Sequence, residues 1–92
     1  MKDQRKYRIE EEMTKLNLPR YKFALKAIPE LLDIAFNTFH NYRKLRVGDK
    51  ADIPYEMVRK LEIIFQLKEG ELANFPVECK GLDAMMKEAA GR

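Results

Sequence analysis

Asn37, His40, Asn41 and Lys44 are the residues whose types and spacing could do chemistry together. They stand at i, i+3, i+4 and i+7, which on a helix puts all four on one face. A side-chain amide can pair bidentately with adenine, and an imidazole or ammonium group can donate to guanine acceptors in the major groove. On the other side of the same segment lie Phe36, Phe39, Tyr42 and Leu45, which can anchor the helix to a core. Arg43, Lys44, Arg46 and Lys50 add positive charge suited to phosphates. Thr38 offers a hydroxyl to a phosphate oxygen. Phe36 either packs on a thymine methyl or belongs to the core. A polar stripe on a short helix is also what a plain solvated surface looks like, so spacing alone does not decide between the two.

The other reactive residues point away from catalysis. His40 is the only histidine and Cys79 the only cysteine. A lone histidine has no partner for a metal site or a nucleophile relay. Cys79 reads as a small apolar residue in a reducing, cytoplasmic setting. Glu10, Glu11 and Glu12 read as a solvated helix face rather than an acid/base pair. There is no Gly-rich loop of the phosphate-cradling kind. The expectation is therefore no enzyme, no catalytic residues, no metal, no cofactor and no small-molecule ligand.

The 92 residues fit one domain and are few for a catalytic fold carrying its own cofactor domain. Apolar residues make up 46% of the chain and charged residues 36%, a mixture that argues against disorder. No apolar run approaches the roughly 18 residues of a membrane span, and the N-terminus does not read as a secretory signal. A net charge of +3 is weak evidence for nucleic acid, but its distribution is uneven. Residues 1–50 carry 12 Lys/Arg against 7 Asp/Glu, and residues 51–92 carry 6 against 8. That asymmetry suggests a basic working half and a neutral-to-acidic supporting half.

The elements that must position the stripe read as helices, since apolar spacings of three and four recur between Pro, Gly, Asn and Asp. A first helix is expected from Lys6 to Leu16 on Ile9, Met13 and Leu16. A second opens near Pro19, where a missing N–H costs nothing, with Tyr21, Ala24, Leu25, Ile28, Leu31 and Leu32 on one face. Pro29 lies inside it, leaving open one kinked helix or two short ones. Asp33 to Asn37 form a turn, and a short helix runs from Thr38 to Leu45. After a polar loop, Pro54 opens a helix to Leu67 with Met57, Val58, Leu61, Ile64 and Phe65 buried. Lys68 to Leu72 begin a further turn or short helix, and a last one spans Leu82 to Ala90. The fold class expected is all-α, a compact four- to five-helix bundle.

From Leu31 onward the chain resembles the lambda-repressor-like, Cro-type helix-turn-helix family. Its turn of the form Gly-Val-Ser-x-x-Thr-Ile, followed by an aromatic, is matched by Asp33, Ile34, Ala35, Phe36, Asn37, Thr38 and Phe39, then Tyr42. The family's loop then reaches a Pro that opens a helix ending in Glu-Leu, as Pro54 to Leu72 do here. Asn17-Leu18-Pro19 resembles its opening Gly-Leu-Ser-Gln. About 70 residues are loosely covered. The turn Gly is replaced by Asp33 and the capping Ser by Ala35, so that Asn37 is an alternative cap. The segment between Ala24 and Asp33 is several residues long for the family. Position by position, the resemblance implies base contacts from Phe36, Asn37, His40 and Asn41, and phosphate contacts from Thr38, Lys44 and nearby basic residues.

The resulting expectation is a sequence-specific transcriptional regulator that binds double-stranded DNA through residues 1–75. Residues 76–92 would form a tail with a short dimerisation helix, because Leu82, Met85 and Met86 need a partner surface. A homodimer would place two recognition helices on half-sites about one DNA turn apart. The alternative is a protein-interaction or antitoxin-like module on the same scaffold, its aromatic-rich surface binding a partner helix. An RNA-binding bundle is a weaker third reading.

Overall fold

Asn17 and Pro19 set the start of the longest helix. In the computed structural model, which describes residues 4–91, the Asn17 side chain accepts a hydrogen bond from the Arg20 N–H at 3.0 Å, and Pro19 sits in the first turn. Five helices follow one another among the described residues, and no strand is formed. They are α1 (Ile9–Thr14), α2 (Leu18–Leu32), α3 (Phe36–Lys44), α4 (Tyr55–Ile64) and α5 (Leu82–Ala90). The chain is thus all-α, with α1, α2 and α3 packed on one another.

α2 runs unbroken through Pro29. The proline lies in the last turn, where one lost bond to the Leu25 carbonyl does not stop the helix. Two backbone bonds then close its end: Asp33 N–H to the Glu30 carbonyl at 3.1 Å and Ile34 N–H to the Pro29 carbonyl at 3.0 Å. This is the Schellman pattern, which needs a left-handed residue after the helix. Asp33 supplies it at φ 56°, ψ 48°. Gln66 does the same after α4 at φ 59°, with bonds from Gln66 N–H to Ile63 and Leu67 N–H to Glu62. α4 therefore stops at Ile64 rather than Leu67, and residues 68–72 form turns without a helix.

The core is one cluster, with Ile9, Met13, Ile28, Leu32, Phe39, Leu61 and Leu72 at its centre. The face expected of α2 holds at Ala24, Ile28 and Leu32, but Leu31 is 70% exposed.

Residues 4–8 are not helical, with isolated bridges at Arg5 and Tyr7 and a turn at Arg8, so α1 begins three residues later than its apolar spacing predicts. They lie between the end of α3 and residues 72–74. Lys6 N–H donates to Leu45, Val47 N–H to Gln4, Arg8 N–H to Leu72 and Asn74 N–H to Lys6. Tyr7, buried against Phe75 in an edge-to-face ring contact 5.9 Å apart, donates its hydroxyl to Asp52. Lys6 reaches the carbonyls of Asp49 and Ala51. These long-range bonds fasten the polar loop after α3 to the body.

Candidate nucleic-acid interface

α3 carries the residues that the spacing singled out, and two residues on its inner side fix its rotation. Phe39 is fully buried. Arg43, four residues later and so on the same side, is only 7% exposed. Its Nε donates to Glu10 at 2.8 Å, and its Nη2 donates to Glu10 and to the Tyr21 hydroxyl. Burial works against the Arg43 charge, and the bonds to Glu10 and Tyr21 more than offset it, so the guanidinium is held charged above its ordinary range. The fork joins α1, α2 and α3.

This corrects one reading. Arg43 faces inward and is not presented to a phosphate. Glu10 is its partner, and its side chain stays 41% exposed beside the exposed Glu11. Glu12 pairs with Lys15 at 2.8 Å.

With Phe39 and Arg43 turned in, the opposite side of α3 turns out. Asn37, Asn41 and Lys44 are exposed, and His40 is half-buried beside them. Phe36 is 54% exposed and its ring stacks on that of His40 at 6.1 Å and 9°. Phe36 is thus neither a core residue nor a bare surface one. The His40 Nδ1 is buried and makes no hydrogen bond within the chain. Thr38 is half-buried. Ala35 is the residue before the helix, in extended conformation and without a side-chain cap. Asn37, inside the first turn, does not cap, so its amide is not spent on backbone.

Arg46 and Lys50 lie on the exposed loop after α3. That loop is shaped by Asp49, whose carboxylate accepts the Arg46 N–H at 2.8 Å. Asn37, Asn41, Lys44, Arg46 and Lys50 therefore belong to one helix face and the loop that continues it.

No protein family, no curated protein and no solved structure matches the chain. The roles of these residues therefore rest on their chemistry and placement.

One feature went unread in the sequence. Glu62 is 1% exposed. It accepts from Arg59 at 2.7 Å, from Gly70 N–H at 2.8 Å and from Leu72 N–H at 3.1 Å. Burial pushes its carboxyl upward, but the Leu72 and Gly70 amides and Arg59 together outweigh that and hold it below the ordinary range. The only signal was a glutamate beside Leu61 on the inner stripe. Cys79, read as a small apolar residue, is a free and exposed thiol. No helix among the described residues is long and apolar enough to cross a membrane.

Proposed function

We propose that this chain is a sequence-specific DNA-binding regulator of the lambda-repressor-like helix-turn-helix type, with α3 as the helix that enters the major groove. The observation that carries the reading is the outward face of α3: two amides, an ammonium group and a half-buried imidazole, on a helix whose rotation Phe39 and Arg43 lock from behind. Asn37 and Asn41 are free to meet base edges, where an amide pairs best with adenine. His40 and Phe36 form a stacked pair beside them. Lys44, Arg46 and Lys50 meet phosphates, which hold α3 in register without reading sequence. The three-residue connection through left-handed Asp33 supports the helix-turn-helix reading, because a single αL residue lets α3 turn sharply off α2.

The test is selection of sites from random duplex DNA, followed by binding with variants. Asn41→Ala is expected to cost about 1–3 kcal/mol on the selected site and to relax preference at one position. Lys44→Ala is expected to weaken all sequences alike and to lower the salt slope by about one. Selection that returns no enriched sequence, with variants binding like the wild type, overturns the reading.

The second reading, a protein-interaction or antitoxin-like module, is favoured by one observation: Phe23, Leu31 and Ile63 leave an apolar surface on α2 and α4. That surface is away from α3, so the two readings are tested on different residues.

A further inference from the structure

We propose that two copies of this chain exchange their C-terminal helices, each docking α5 into the apolar groove between α2 and α4 of the other. Leu16, Phe23, Ala27, Leu31, Ile64 and Phe65 line that groove, an open volume of about 310 Å³. Phe23, Ala27 and Leu31 follow one another at i, i+4 and i+8 along α2, and Ile63 extends the surface on α4. Phe23 is 73% and Leu31 70% exposed. Large exposed apolar side chains gathered in a contiguous patch mark a contact surface rather than ordinary scatter.

The same chain carries a helix that fits such a groove. On α5, Leu82, Met85, Met86 and Ala89 share one face, and none of its residues is buried. Nine residues are fewer than the roughly 12–15 at which an isolated helix becomes even marginally stable in water. α5 therefore needs its stripe covered. Methionines adapt to irregular apolar surfaces, and an amphipathic helix laid in a groove is a recurring recognition mode.

Shape and charge point to the second copy as the occupant. The radius of gyration is 16.9 Å and the molecule measures 60 × 31 × 22 Å, against a radius of about 12 Å for a compact domain of this length. An extended molecule with an uncovered helix suits exchange between copies. Arg20, Lys22 and Lys26 flank the groove on α2, with Glu30 as the acid among them, and none of the three cations forms an ion pair among the described residues. Asp83 and Glu88 stand at the two edges of the α5 stripe. Among the described residues Asp83 has no ion pair, and Glu88 pairs with Lys80 of its own segment. An acid-edged helix and a base-edged groove on one chain are self-complementary, and a two-fold exchange covers both faces twice and closes. No residue of α3 lines the groove, so the proposal is independent of DNA binding.

The experiment uses the full chain without DNA. Sedimentation is expected to show a dimer whose dissociation constant rises about tenfold or more in Met85→Asp and, separately, in Leu31→Asp. Both positions are exposed, and circular dichroism verifies that each variant keeps its helices. A nitroxide on Cys79, three residues before α5, gives the second readout. Unlabelled-isotope chains carrying the nitroxide, mixed with nitrogen-15 chains lacking it, are expected to broaden the amide signals of Phe23 to Leu31. A monomeric wild type overturns the proposal. So does a dimer that survives either substitution, or broadening of α2 only within the spin-labelled chain itself, which would mean that α5 folds back on its own groove.

Discussion

Arg43 and Lys44 are adjacent in sequence and opposite in role. One step along a helix is a rotation of about 100°, enough to carry Lys44 into solvent while Arg43 enters the core beside Phe39. Arg43→Ala is expected to lower stability by about 2 kcal/mol or more, because it strips Glu10 and Tyr21 of a charged partner. Under the proposed function it leaves the salt slope of DNA binding unchanged once the protein is held folded. Urea midpoints and binding isotherms separate the two effects. Glu62 predicts an acid limit. Its carboxyl lies below the ordinary value of 4.5 in the folded chain, so the folded state holds its proton less tightly than the unfolded state does. The stability it contributes is present above pH 4.5 and is lost as pH falls through the lower folded value. Glu62→Gln is expected to flatten that acid loss and to cost about 1–3 kcal/mol at neutral pH, since an amide cannot accept from Arg59, Gly70 and Leu72 together. Urea titrations at a series of pH values measure both.

At the scale of elements, the turn before α3 is sound in backbone and plain in side chains. Ala35 has the extended conformation of a capping residue with no group to cap. Ala35→Ser is expected to stabilise the chain by about 1 kcal/mol, because a hydroxyl there satisfies a free N–H of the first turn. Asp33→Gly is expected to add up to about 1 kcal/mol by removing the cost of a left-handed residue with a side chain. Thermal melts check both, and under the proposed function neither alters which DNA sequence is preferred. Much at this scale was legible beforehand. Pro19 marked the start of α2, and the last helix was read over the whole of α5, from Leu82 to Ala90. The starts of α1 and α3 were not. Local apolar spacing cannot tell a helical first turn from an extended segment that finds its hydrogen bonds on another part of the chain.

For the whole molecule, residues 4–8 tie the start of the chain to residues 45–52 and 72–74. Tyr7 and Asp52 are 45 residues apart, and the bond between them closes the loop that carries Arg46 and Lys50. The Asp52 carboxyl is held below its ordinary range despite burial, by the Tyr7 hydroxyl, the Ile53 amide and Lys6. Tyr7→Phe is expected to cost about 1 kcal/mol and to speed amide hydrogen exchange at Lys6 and Val47 more than at Phe39. Equal acceleration at all three sites would show that the bond supports the core as a whole and does not fasten the loop.

Residue order alone determined that the chain is helical, roughly where most helices lie, and that Asn37, Asn41 and Lys44 share a face. Those are properties of periodicity and of capping residues, which act over one or two turns. Tertiary structure alone decided that Arg43 is internal, that Glu62 anchors the loop from Gly70 to Leu72, and that residues 4–8 bond to distant backbone instead of starting α1. It also decided that Leu31 leaves the core for an exposed groove. Each depends on which distant groups arrive beside a residue, and a buried charge keeps its place only because those groups satisfy it.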